Sequence, residues 1–210
     1  MTPAFDPIAP HPDGVHAEDE LIHERAYIVR AYRRADDELV LRGAVRDQKP
    51  AGLYIVDDTE PLTVHHMIVD LTIAVPSLEI TAAKAVLEIH PYPSCTRIED
   101  DYGMLVGLSI ARGFTNKVRE LFGGPRGCAH TTALLQAMAP VAIQSMWSFR
   151  MAEQADNGQD SHFDSPEARQ RALMANLNSC HVWAEDGEHV AAMRSGGPVD
   201  MPLWISRRPS

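Results

Sequence analysis

Cysteine is scarce in this chain. Three residues, at positions 95, 128 and 180, leave one thiol over in any disulfide scheme, and no Cys-x-x-Cys pair is present. Reduced thiols or ligands are therefore expected rather than a disulfide framework. Long apolar runs are also missing: none approaches the roughly 20 residues needed to span a bilayer. Positive charge is thin, with 19 Lys and Arg against 29 Asp and Glu and a formal charge of -10. Arg33-Arg34 and Arg207-Arg208 are too short to form the basic patch that phosphates require, which excludes nucleic acid as the expected partner. No Walker or Rossmann glycine pattern occurs, and no internal repeat. The first twenty residues lack a basic segment followed by an apolar one, so no secretory signal is read there and a cytoplasmic location is expected.

What is present is an ordinary globular composition, 45% hydrophobic and 23% charged over 210 residues, enough for one buried core. Residues 1–23, with Pro3, Pro7, Pro10 and Pro12, read as a flexible arm. Residues 24–195 read as a single domain and 196–210 as a peripheral tail. Tyr27, Val29 and Ala31 alternate with Ile28, Arg30 and Tyr32, and a turn at Ala35-Asp36-Asp37 leads into Leu39, Leu41, Gly43 and Val45, so a hairpin is expected. After a polar loop, Met67, Val69, Leu71 and Ile73 share one face of a strand, with Asp70 and Thr72 on the other. Leu78 to His90 returns, with its phase broken near Ala82-Ala83 as at a bulge. Met104 to Ile110 is a further short apolar run.

Helical spacing follows. Thr115 is placed to cap a helix that Gly123 ends. A longer helix runs from Ala129 through Leu134, Leu135, Met138, Val141 and Phe149, with a kink expected at Pro140. After a polar loop at 156–165, Pro166 opens a third helix reaching about Asn178. His181 to Met193 reads as a hairpin about Asp186-Gly187. Strands first and helices second indicate an α+β fold, an antiparallel sheet packed against a long kinked helix plus shorter helices.

The chemistry-bearing residues fall into a few groups. Cys128 and His130 open the long helix, where unpaired N–H groups and the helix dipole favour an anion such as a thiolate. His65 and His66 are adjacent on a strand and so face opposite ways; either can serve as a base near neutral pH. The competing reading is a surface histidine beside a core-edge one. Cys95, after Pro91-Tyr92-Pro93, joins Cys128, His130 and His66 or His90 as an alternative zinc set, though without a known zinc spacing, and buried structural thiols are the preferred reading of the cysteines. Among the carboxylates Asp47, Asp57, Asp58, Asp70 and Glu88, Asp70 stands out as able to orient a histidine, against a plain solvated strand face. Gly123-Gly124-Pro125-Arg126-Gly127 could cradle an anion or simply connect two helices. Met138, Met146, Trp147 and Phe149 are core residues or the lining of an apolar pocket.

The runs RAYIVRAYRR, LVLRGAVRDQK, HHMIVDLTI and PYPSC and the segment GFTNKVRELFGGPRGCAHTTALLQAMAPVAIQS together resemble a bacterial family described as a domain of unknown function, DUF2889. The likeness covers about Arg25 to Trp183. The family usually has His-Asp-Met where this chain has His65-His66-Met67, and Leu where it has Thr131. The resemblance implies catabolism of lignin-derived aromatic compounds, with cofactor-free removal of formaldehyde. On that basis the expected activity is a lyase that opens a phenylcoumaran to a stilbene. His65 or His66 is then the base, Tyr27, Arg30 and His130 bind or protonate the phenolate, and Asp70, Cys128 and Met138 contact the substrate. No cofactor is expected. The partner is a small aromatic substrate, and a homodimer is compatible with this reading. Two other functions remain open. One is a metal-dependent hydrolase or lyase with zinc on Cys95, Cys128, His130 and His66; the other is a non-catalytic small-molecule binding protein.

Overall fold

A computed structural model describes residues 19–156 and 165–199 of the chain. It is an α+β protein, with four strands followed by helices. The proposed arm and tail fall largely outside the described residues, as does most of the 156–165 loop. The chain divides into two compact units, residues 1–149 and 150–210; the sequence reading has one ordered body over 24–195.

In the first unit, β1 (Glu24–Ala35), β2 (Glu38–Lys49), β3 (Leu62–Ala74) and β4 (Glu79–Ile89) form an antiparallel meander in the order β1-β2-β3-β4. Each side-chain alternation read from the sequence becomes one face of this sheet. Leu39, Leu41 and Val45 of β2 are buried with Met67, Val69, Leu71 and Ile73 of β3. In β4 the pairing shifts between Thr72↔Ala82 and Ile73↔Ile80, so Thr81 is an extra residue. That bulge sits where the sequence phase breaks. It lets Ile80, Ala85 and Leu87 all reach the core. The Met104–Ile110 run is not a strand: a 3-10 turn reaches Leu105, and the following residues make one isolated bridge, Glu79↔Ser109, beside β4.

The short helix α1 (Phe114–Phe122) is not capped by Thr115. Gly113 holds the N-cap position at φ 67 with no side-chain cap, and the buried Phe114 sets the start of the helix by packing rather than by a hydroxyl. At its other end, Arg126 donates to the carbonyls of Glu120 (2.9 Å) and Arg119 (3.3 Å). The Gly-rich loop thus closes α1 and directs its one cation to helix carbonyls.

The long helix α2 (Ala129–Asp156) continues through Pro140. Leu134, Leu135, Met138, Ala139 and Ala142 are buried with the sheet in one hydrophobic cluster. The closest approach is at Gly43 of β2, where a Cβ would lie 2.8 Å from Met138 Sδ and 3.1 Å from Leu134 Cδ1. Glycine is needed here for room, not for backbone freedom. One helical turn advances about 5.4 Å and two strand residues about 6.7 Å. The first turn of α2 therefore lies near the Val45–Asp47 end of β2 when Leu134 and Met138 lie over Gly43.

In the second unit, Pro166 opens α3 (Pro166–Asn176), with Ser165 as N-cap accepting from Ala168 N. The expected hairpin at 181–193 is instead a 3-10 turn at His181–Trp183 followed by α4 (Glu188–Ser195). Gly187 has φ -81 and ψ 155, an N-cap geometry rather than the positive φ that a two-residue hairpin turn requires. Val190 and Met193, three apart, are the buried residues of this helix.

Candidate functional site

The inward stripe of β2 does not end at Val45. Its next member is Asp47, a carboxylate that is 2% exposed on the face of the sheet that carries the core. Strand register places Arg25 of β1 directly opposite Asp47 on one side and His65 of β3 opposite it on the other. One cross-strand row therefore reads Arg25–Asp47–His65, and α2 adds His130 from its first turn.

Asp47 is the centre of the group. Arg25 holds it bidentately, Nε to Oδ1 at 2.5 Å and Nη2 to Oδ2 at 2.7 Å. His130 Nε2 is 3.0 Å and His65 Nδ1 3.3 Å from Oδ2, and His23 Nε2 is 3.8 Å from Oδ1. The His65 and His130 rings stack at 3.8 Å. His65 Nδ1 is buried and makes no hydrogen bond of good geometry. On its other side, His130 Nδ1 lies 3.6 Å from Cys128 Sγ. The Cys128 N–H donates to the hydroxyl of Tyr102 at 3.1 Å, and Tyr102 is fully buried and stacked on Phe122.

The electrostatics follow from burial and neighbours. Burial alone would raise the carboxyl of Asp47, but Arg25, His130 and His23 together outweigh it and hold the group below its ordinary range. The Arg25 guanidinium is correspondingly raised by its bond to Asp47. Burial lowers His130, the neighbouring His65 lowers it further, and the attraction of Asp47 only partly offsets both. Near neutral pH the group thus holds one carboxylate, one guanidinium and a neutral His130. Burial pushes the Tyr102 phenol up, so it stays protonated.

The other residues singled out from the sequence are dispersed. Tyr27 follows Arg25 on the same face of β1 and interacts with its guanidinium. His66 points to the opposite face, where its Nδ1 meets Glu88 at 2.5 Å. Arg30 and Asp70 are on that face too, in the row Arg30–Arg42–Asp70–Lys84. Asp70 orients no histidine; it pairs with Arg42 at 2.8 Å. Met138 is fully buried against Gly43, about two helical turns along α2 from His130, and belongs to the core. His90 Nδ1 is bonded to the Tyr92 carbonyl, and Cys95 packs from its 3-10 turn against the core.

The zinc set of Cys95, Cys128, His130 and His66 is therefore not assembled. Among the described residues, the group of three donors close enough to share an ion is Asp47, His65 and His130, whose ligand atoms lie within 4.8 Å of one another. The Arg25 guanidinium occupies both oxygens of that carboxylate, so a cation would have to displace it or bind beside a positive charge. An open pocket of about 280 Å³ lined by Ile110, Phe114, Ala139, Pro140 and Ile143 shares no residue with this group.

By residue type Asp47 is one carboxylate among several in the sequence, and nothing in their type marks Arg25 or His23. The signal lay in phase. Extending Leu39, Leu41, Gly43, Val45 by one step lands on Asp47, and extending Ala31, Val29, Tyr27 backwards lands on Arg25. A charged residue in phase with a core stripe must be paired or functional. Asp70 interrupts apolar residues, but it is out of phase with the buried ones.

No helix among the described residues is long and apolar enough to cross a membrane. No curated protein and no solved structure matches the chain. The model of one family, described as a protein of unknown function (DUF2889), matches residues 23–144, a span shorter at its C-terminal end than the resemblance read from the motifs. That span contains His23, Arg25, Asp47, His65, Cys128 and His130, and the chain belongs to the DUF2889 family.

Proposed function

We propose that the Asp47 group is the acid–base centre of a carbon–carbon lyase that needs no cofactor and releases formaldehyde from a lignin-derived aromatic compound. The observation that carries the chemistry is the buried carboxylate held by Arg25 on one side and facing two imidazoles on the other. The substrate class comes from the family resemblance.

His65 turns Nδ1 toward Asp47, so its Nε2, on the far side of the ring, is the nitrogen that receives a proton. In a phenylcoumaran, His65 takes the proton of the hydroxymethyl group. The carbon–carbon bond to that group breaks and formaldehyde leaves. The electron pair forms the stilbene double bond and expels the aryl oxygen, which takes up a proton. The imidazolium that forms is compensated by Asp47, while Arg25 and Tyr27 on the same face stabilise the phenolate. His66 and Arg30, on the opposite face, have no part in these steps.

The test is formaldehyde release from a phenylcoumaran carrying a free hydroxymethyl group, with and without chelator. Release that survives the chelator supports this reading. Release abolished by it points to a metal on Asp47, His65 and His130 despite Arg25. No release in either condition overturns the substrate assignment and favours a binding protein.

A further inference from the structure

The half-buried thiol of Cys128 has no role in those steps, yet its surroundings hold it in a reactive arrangement. Both nitrogens of His130 have partners: Nε2 faces Asp47 Oδ2 at 3.0 Å and Nδ1 faces Cys128 Sγ at 3.6 Å. A carboxylate beside Nε2 keeps the ring proton there, which leaves the Nδ1 lone pair directed at the thiol. The Cys128 carbonyl accepts from Thr132 N at 2.9 Å, so Cys128 is the N-cap of α2. The sulfur thus belongs to the residue that precedes the N–H groups of Ala129, His130 and Thr131, which have no carbonyl of the helix to meet. The bond from the Cys128 N–H to buried Tyr102 fixes the backbone beneath the thiol.

We propose that Cys128 is a nucleophile for acyl transfer from an ester or thioester, with His130 as its base and Asp47 as the residue that positions that base. The thiol proton passes to His130 Nδ1 and the sulfur bonds to the carbonyl carbon. The carbonyl oxygen becomes an oxyanion at the helix N-terminus, where the free N–H groups stabilise it. The carbonyl then re-forms, and the alcohol or thiol leaves with the proton from His130. Water, deprotonated by His130, attacks the resulting thioester, releases a carboxylic acid and restores the thiol. The lyase steps proposed above run through His65 and use neither the Cys128 thiol nor His130 Nδ1, so formaldehyde release and cysteine acylation are separate readouts, with Asp47 common to both.

Two other thiols in the same chain serve as comparators: Cys180, which is exposed, and Cys95, which is half-buried. The full-length protein is treated with p-nitrophenyl acetate and the acetylated cysteines are identified by peptide mass spectrometry over time. Cys128 is expected to acetylate at least about tenfold faster than Cys180, and to slow by about tenfold or more in His130→Gln. Cys128 reacting no faster than Cys180 overturns the proposal, as does an unchanged Cys128 rate in a folded His130→Gln. Iodoacetamide labelling of Cys95 reports on the fold of the variant. If Cys95 becomes fully reactive the variant has opened, and the wild-type ratio of Cys128 to Cys180 then decides alone.

Discussion

Asp47 Oδ2 lies 3.0 Å from His130 Nε2 and 2.7 Å from Arg25 Nη2, so a single buried oxygen joins the first strand of the sheet to the first turn of the long helix. Neither contact is between neighbours in sequence. Together they tie the helix terminus to the sheet where the hydrophobic stripe gives out.

Replacing that carboxylate should be costly. Asp47→Asn keeps the shape but leaves Arg25 without its counter-charge. Breaking a fully buried pair typically costs 3–5 kcal/mol, and because water reaches part of Arg25 we expect about 2 kcal/mol here. Urea denaturation measures this directly. A loss below about 0.5 kcal/mol would mean the pair is an ordinary surface contact.

Acidification should destabilise the protein in two steps. His130 is held below its ordinary value of 6.5, so the unfolded chain binds that proton first. Its contribution is complete above about pH 6.5 and is lost as pH falls toward the folded value. Asp47 is held below its ordinary value of 3.8. Its contribution is complete above that value and is lost as pH falls through the folded one. Urea midpoints taken from pH 8 to pH 3 should therefore fall first below about 6.5 and again below about 4. In His130→Gln the upper step should vanish while the lower one remains. An upper step of equal size in the variant would assign it to another group.

The two adjacent histidines should separate cleanly in the formaldehyde assay. His65→Ala is expected to lower kcat by about a hundredfold or more. His66→Ala, on the other face and paired with Glu88, should stay within about twofold of wild type. The reverse order would move the base to the outer face of the sheet.

Gly43 tests the packing that brings His130 to Asp47. In Gly43→Ala the new methyl meets Met138 Sδ at 2.8 Å and Leu134 Cδ1 at 3.1 Å. Overpacking of this kind costs about 1–3 kcal/mol, toward the lower end where flexible side chains yield. Thermal unfolding should show the loss, and Met138→Ala in the same chain should relieve part of the clash. Equal and additive losses in the double variant would show that the two residues do not meet.

Much of the fold was legible because period and burial are local properties. The alternation through Leu39, Leu41, Gly43 and Val45, the bulge near Ala82 and the Pro166 helix start each depend on a few consecutive residues. The hairpin expected at 181–193 failed for the same reason. Asp186-Gly187 is a hairpin turn only if Gly187 takes a positive φ, and instead it begins a helix that buries Val190 and Met193. Thr115 was a plausible cap by type, but the burial of Phe114 decided where that helix starts.

The candidate site was legible only in part. His65, Cys128 and His130 are marked by their residue types and positions in the sequence. That His65 and His66 divide between two faces also followed from strand geometry alone. The choice between those faces, the dispersal of Cys95, His66 and Asp70, and the gathering of Arg25, Asp47, His65 and His130 depended on strand register and on the direction in which α2 crosses the sheet. By itself the sequence determined the α+β class, the strands and the stripe of residues facing inward. Which charged residues share a carboxylate was decided by tertiary structure, because distances across strands and between helix and sheet are set by register and packing, which no local period encodes.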